Sequence, residues 1–452
     1  MAGQVTGRES AAGTPAEAAT AFSPAAAIAS GVEAVTGGIV RRAAARNLAP
    51  LALSGFSLSF AVVAAAWLTG VTAHGEWIAL AALMVSFFTC RAARVYAKRA
   101  MALAPSTDWA QGAFALLAEL AVYAGIAAGA SMNAGAASGL TGPLGGQLRG
   151  TALATVGGPG AAGVWWLGIA AAIGLAVREM ANLCLTAAKS RTALAEGPDA
   201  ARRILVPVPA SGIRLVLLCL VVMIAGARTA LALAFVLGVL ALLLRAGVAG
   251  PNSGVIGYRG DGPLSVWIGG FVDGRLPPVP PLLVGLLVTG VLTAFGLGNL
   301  KGVLVFTPAE AMLLAALGCW HRHDGKRDWL VPALLHLGEY VFIAALGAAG
   351  KVPLPVIFAL LAAVALRHLD LAYRARNQMP PGLFMRSAAS LGREPRLPGS
   401  DWRALGWEGR MIVAAFAVAI GAGPYAYVAF AVYLWVLLAT EAITGWSACR
   451  SG

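Results

Sequence analysis

Apolar runs recur along this chain from residue 51 to residue 446. Several reach the roughly 20 residues a helix needs to cross about 30 Å of hydrocarbon. Only 12% of the 452 residues are charged, about half the share of a soluble domain, so a soluble enzyme is excluded. The chain reads as an all-α polytopic membrane protein.

The spans fall near 51–69, 77–93, 110–131, 161–187, 213–226 and 229–246, and then near 282–298, 302–319, 330–349, 353–372, 411–422 and 425–446. Between the two sets, residues 247–280 carry Gly250-Pro251-Asn252-Ser253-Gly254 and the start of a Pro277-Pro278-Val279-Pro280-Pro281 run, turn and stiff-linker chemistry that reads as a cytoplasmic linker. Residues 1–40 are rich in Ala, Gly and Thr, with no continuous apolar stretch, and read as a disordered tail.

Charge sets the topology, because Lys and Arg are disfavoured in translocated loops. With the N-terminus inside, only Arg149, Arg228, Lys301 and Lys351 of the 33 basic residues fall in outer loops, and Arg178 lies within a helix. About twelve spans with both termini cytoplasmic, in the cell's inner (plasma) membrane, is the reading that asymmetry supports. It also accounts for the net charge of +13 without nucleic acid as a partner. The five cysteines, Cys90, Cys184, Cys219, Cys319 and Cys449, are scattered without a disulfide or metal-type spacing.

The halves resemble each other. Asp108-Trp109 precedes Glu119 by the interval at which Asp328-Trp329 precedes Glu339, and ELAVYAGIAAGA then runs beside EYVFIAALGAAG. Pro50 and Gly55 match Pro280 and Gly285, Arg178-Glu179-Met180 matches Arg367-His368-Leu369, and Arg214 before Gly226 matches Arg410 before Gly423. Four matches in one order predict a tandem duplication of a six-helix unit, residues 41–246 and 281–446. Six spans per unit make it a parallel repeat.

Ionisable groups inside a membrane are costly and need partners. Glu119 and Glu339 sit well within apolar helices, and Arg178 and Arg367 on the following helices are their expected partners. Glu119 with Arg178 reads as a structural ion pair. The second half is richer: His321, His323, Asp324, Lys326, Arg327 and Asp328 crowd one loop, with His336 and Glu339 further in. Arg367, His368, Asp370, Tyr373, Arg374 and Arg376 are placed opposite. Oxygen ligands suit Mg²⁺ or Mn²⁺, and guanidinium groups suit phosphate. A remodelled site there would use Asp324, Asp328 and Asp370 for metal. Glu339 or His368 would be the base, and Arg367 and Arg374 would hold phosphate. His321 and His323 alone are too few ligands for zinc. Glu310 and Glu441 read as lone acids explained by packing or helix-end placement.

Several features carry a family resemblance: Asn47-Leu48-Ala49-Pro50 before the first span, Ala93-Arg94 at the end of the second, and Glu119 followed by Val122-Tyr123-Ala124-Gly125. With six helices per unit, residues 41–246 resemble the CDP-alcohol phosphatidyltransferases. Residues 255–446 resemble an uncharacterised membrane domain fused behind such units in high-GC bacteria. The resemblance implies a cytoplasmic-face pocket where divalent metal holds the pyrophosphate of a CDP-linked lipid while an alcohol displaces CMP. Arg94 would then contact phosphate, as would Arg178. The family signature, Asp-x-x-Asp-Gly-x-x-Ala-Arg followed by Gly-x-x-x-Asp-x-x-x-Asp, supplies four carboxylates for two cations. Aligned on Ala93-Arg94, the Asp-Gly pair falls on Thr89 and Cys90; reading back from Glu119, the later acids fall near Ala115 and Gln111, give or take one residue. Asp324-Gly325 keeps an Asp-Gly pair in the second half.

Three functions therefore stand as expectations. One is head-group transfer in phospholipid metabolism on a lipid or lipid-linked phosphate, with Mg²⁺ or Mn²⁺. The others are a non-catalytic lipid-binding scaffold and a solute transporter with parallel repeats. Pairing of two copies is compatible with each.

Overall fold

The computed structural model describes residues 24–70, 73–99, 105–132, 160–196, 211–246, 260–296, 306–319, 321, 325, 327–376 and 405–450. Among them there is no strand. The helices are α1 (Pro24–Ala45), α2 (Pro50–Thr69), α3 (Ala73–Arg99), α4 (Pro105–Met132), α5 (Gly160–Glu196), α6 (Ser211–Ala225) and α7 (Ala227–Ala246). They continue as α8 (Pro263–Val272), α9 (Val279–Gly296), α10 (Thr307–Met312), α11 (Val331–Ala349), α12 (Leu354–Arg376), α13 (Gly406–Ala419) and α14 (Gly423–Arg450). The stretch expected as tail is helical from Pro24 on. Alanine has the highest helix propensity, and Val40 and Ala43 bury themselves against Leu53, Ala92 and Ala93. Asn47, at φ 50°, ends α1 in the left-handed conformation, and Pro50 starts α2.

Among the described residues eight helices, α2, α3, α4, α5, α7, α11, α12 and α14, have the length and apolar composition to cross a membrane, so this is a helical multi-pass membrane protein. Four segments expected as spans are shorter or less regular. The α6 helix breaks at Gly226, whose φ of 89° suits glycine alone, and α7 starts at once. The α9 helix has 18 residues. The α10 helix gives way after Met312 to a 3-10 turn, Leu313–Gly318. The α13 helix has 14 residues.

Small residues set the closest packing, as expected where lipid supplies no hydrophobic drive between helices. A Cβ on Gly125 of α4 would lie 2.5 Å from the carbonyl oxygen of Ala65 on α2, and one on Gly129 would strike the carbonyl oxygen of Leu68. Ser57 and Ser86 exchange hydroxyl-to-carbonyl bonds of 2.9 and 2.8 Å between α2 and α3.

Most helix pairings of the first half recur in the second. In the first, α2 packs on α3 and α4, α3 on α6, α4 on α5, α6 and α7, and α7 on α5 and α6. In the second, α9 packs on α10 and α11, α10 on α13, α11 on α12, α13 and α14, and α14 on α12 and α13. The halves meet through α5 against α12, α5 against α11, and α4 against α12. Exchanging the halves leaves that set unchanged.

Candidate functional site

Several polar assemblies lie within this apolar bundle, and three of them contain residues singled out in the sequence. The first is a narrow cleft lined by Ser54 and Ser57 of α2, Cys90 and Arg94 of α3, and Gln111, Phe114 and Ala115 of α4. These residues lie within a few turns of the helix ends at Pro50, Arg99 and Pro105, so the cleft sits toward one end of the bundle. It contains Cys90 and Arg94, which the Ala93-Arg94 alignment places in the signature, and Gln111 and Ala115, where counting back from Glu119 puts the later acids. None of its lining residues is a carboxylate. Arg94 is half-buried and donates to Ser211 Oγ at 3.2 Å. The Nε2 of Gln111 is buried and has no hydrogen-bond partner among the described residues. A divalent cation does not fit this donor set. It offers amide and hydroxyl groups, no anionic oxygen, and a guanidinium that repels a cation.

The second assembly lies deeper in the first half. Glu119 of α4 is buried, and Arg214 of α6 pairs with it closely. Arg178 of α5 lies 3.6 Å from Glu119 and 2.9 Å from Glu179, which also accepts from Arg214 at 3.3 Å. Two acids and two guanidinium groups cancel in charge, as burial requires.

The third is its counterpart in the second half, among side chains with almost no exposure. Arg410 of α13 donates through Nε at 2.5 Å and Nη2 at 3.1 Å to the Glu339 carboxylate of α11. Its Nη2 also lies 2.7 Å from His368 Nε2 on α12. A guanidinium only donates, so His368 carries its proton on Nδ1 and donates it to Tyr340 Oη, 2.7 Å away. The His336 ring stacks on His368 with centroids 3.5 Å apart. His336, Glu339 and His368 bring three ligand atoms within 4.8 Å of one another. Arg410 nevertheless occupies the Glu339 oxygens and the His368 lone pair that a cation would need, so a metal does not fit here either.

Where α8 meets α13, Glu408 accepts the backbone N–H groups of Gly262 and Ser265, both at 3.1 Å, and thereby holds the first turn of α8. Burial pushes the Glu408 carboxyl up; these N–H donors pull it back and Asp261 adds to the rise. Asp261 accepts from Trp407 Nε1 at 2.9 Å and from Cys319 Sγ at 3.3 Å. Replacing Glu408 by alanine orphans two buried donors, at about 1–3 kcal/mol. Amide hydrogen exchange of Ser265–Gly269 is expected to speed up while that of α4 stays unchanged; unaltered α8 exchange would mean that Glu408 does not anchor it.

The sequence-predicted residues divide between these assemblies. Glu119 and Arg178 come together, as do Glu339 and His368. Arg367 does not reach Glu339: it pairs with Asp370 at 3.4 Å and with Glu441 of α14 at 2.6 Å, so Glu441 is no lone acid. Adjacent helical residues point about 100° apart, and the residue that α12 turns toward Glu339 is His368. Asp370 is held by Arg367, and Asp328 accepts the N–H of Gly325 at 2.9 Å, closing a turn. These two acids join no ligand cluster among the described residues. Asp324, His323 and the Arg374 side chain lie outside the described residues, as does the loop between α4 and α5. Arg214, Glu179 and Arg410 are the site residues that the sequence reading left unpaired with Glu119 and Glu339. The matched positions of Arg214 and Arg410 were the available signal.

No curated protein and no solved structure matches the chain. Residues 256–451, the second half, match a family of unknown function, DUF5941.

Proposed function

We propose that the protein is a lipid-binding membrane protein built from two tandem six-helix units of phosphatidyltransferase type, and that its first unit does not catalyse transfer. The observation that carries this reading is the cleft of α2, α3 and α4. It lies where the resemblance puts the metal site, yet holds Ser, Cys, Arg and Gln where metal-dependent phosphoryl transfer needs carboxylates. The recurring helix pairings and the two buried Glu–Arg assemblies favour twelve segments in two parallel units. The distribution of basic residues favours cytoplasmic termini in the inner (plasma) membrane.

In this reading the deep assemblies are interior fasteners. Each neutralises its own charge, and in the second the guanidinium blocks the groups that a general base or a metal would require. Mg²⁺ and Mn²⁺ have no role in the described clusters.

The test is release of CMP from a CDP-linked diacylglycerol by the purified full chain, with Mg²⁺ or Mn²⁺ and a panel of alcohols. The expected result is no release above that of protein-free micelles. Metal-dependent CMP release would overturn the reading and return catalysis to the loop that contains Asp324.

A further inference from the structure

The cleft differs from a metal site in more than lacking acids, for its polarity is inverted. Arg94 brings a positive charge and five N–H donors. Gln111 brings a buried amide nitrogen with no acceptor among the described residues. A buried donor without a partner costs free energy, and a group of this kind that lines a cleft beside a cation is completed by an anionic oxygen.

A residue of the second half packs beside this place. Tyr373 of α12 crosses to α4, where its hydroxyl occupies the position that a Cβ on Gly112 would take. Gly112 adjoins Gln111, and the charges of Glu179 and, more weakly, Arg94 reach the Tyr373 hydroxyl. Any side chain at residue 112 would displace this ring, so the absence of a Cβ there is what admits a residue of the second unit.

We propose that this cleft binds a phosphate group directly, without metal, through Arg94 and Gln111. The inference rests on the lipid-binding reading above and names its ligand chemistry. Guanidinium and amide donors replace the cations that acids would have held, and bidentate Arg–phosphate pairing provides the geometry. A headgroup phosphate of a lipid and free phosphate share this chemistry.

The test uses the purified full chain in detergent with excess EDTA. It is titrated calorimetrically with dioctanoyl phosphatidic acid, dioctanoylglycerol and inorganic phosphate. The expected result is binding of the phosphatidic acid and none of the glycerol lipid. Comparable binding of inorganic phosphate would assign the site to free phosphate, and its failure to bind would assign it to a lipid-borne group; both support the proposal. Arg94→Gln is expected to weaken binding about tenfold or more, and Gln111→Leu about threefold to tenfold.

Gln111→Leu separates a ligand-binding role from a structural one. Removing an orphaned donor is expected to raise the melting temperature of the ligand-free protein while binding weakens. Binding that requires Mg²⁺, equal affinity in Arg94→Gln, no binding of any probe, or a lowered melting temperature in Gln111→Leu would each overturn the proposal. CMP release is read separately. Release together with EDTA-resistant phosphate binding would sink the non-catalytic reading alone, whereas absent release with absent binding would sink this inference alone.

Discussion

Replacing Arg410 by methionine is expected to cost about 3–5 kcal/mol, the usual penalty for removing one member of a buried ion pair. The side chains of Arg410 and Glu339 are both fully buried. Methionine keeps much of the volume but leaves the Glu339 carboxylate facing two stacked imidazoles and no cation, and His368 loses the donor to its Nε2. Replacing both partners, Arg410→Met with Glu339→Leu, removes the unpaired charge and is expected to recover most of the loss. The first half provides the comparison. Arg214→Met is expected to be milder, because Arg178 remains 3.6 Å from Glu119 and the Arg214 side chain is already 19% exposed. Heat or denaturant unfolding of the detergent-solubilised protein measures all three. A double variant less stable than Arg410→Met would show that the pair is not what makes the single change costly.

The contrast between those two sites also shows how far a sequence can be read. Glu119 and Glu339 stood out because an acid in an apolar helix demands a partner. Their partners were misplaced in part, because nearness in sequence suggested the next helix. In the fold, α4 touches both α5 and α6, and α11 touches both α12 and α13. Arg214 and Arg410, one helix further on, make the closest pairs. Arg367 and Glu441 meet across 74 residues of sequence, and no local pattern announces such a pair. Helix content followed from apolar length, but hydropathy does not report a left-handed glycine or a 3-10 turn, so α6, α10 and α13 come out shorter than a full span. Part of the cleft was legible: Cys90 and Arg94 from the Ala93-Arg94 alignment, and Gln111 and Ala115 by counting back from Glu119. The placement of Tyr373 beside it was not legible, since that depends on the packing of α12 against α4 and on the missing Cβ of Gly112.

A leucine at position 129 is expected to be as damaging as loss of an ion pair, by a different route. The Cβ alone would collide with the Leu68 carbonyl oxygen, and its next neighbours are backbone atoms of α2 at 3.1 Å. Backbone in a helix cannot swing aside as a side-chain tip can, so α2 and α4 must separate along their length. Overpacking of this kind costs about 3 kcal/mol or more at its upper end. The separation reaches the cleft, because Ser54 and Ser57 stand on α2 while Gln111 and Ala115 stand on α4. Gly129→Leu is therefore expected to lower the melting temperature and also to abolish phosphate binding some four to five helical turns away. Gly55→Leu is the control: the same residue is added to α2 where nothing lies within 4 Å of the new Cβ, and both properties are expected to stay near wild type. If the two variants behave alike, close approach of α2 and α4 is not what holds the cleft in shape.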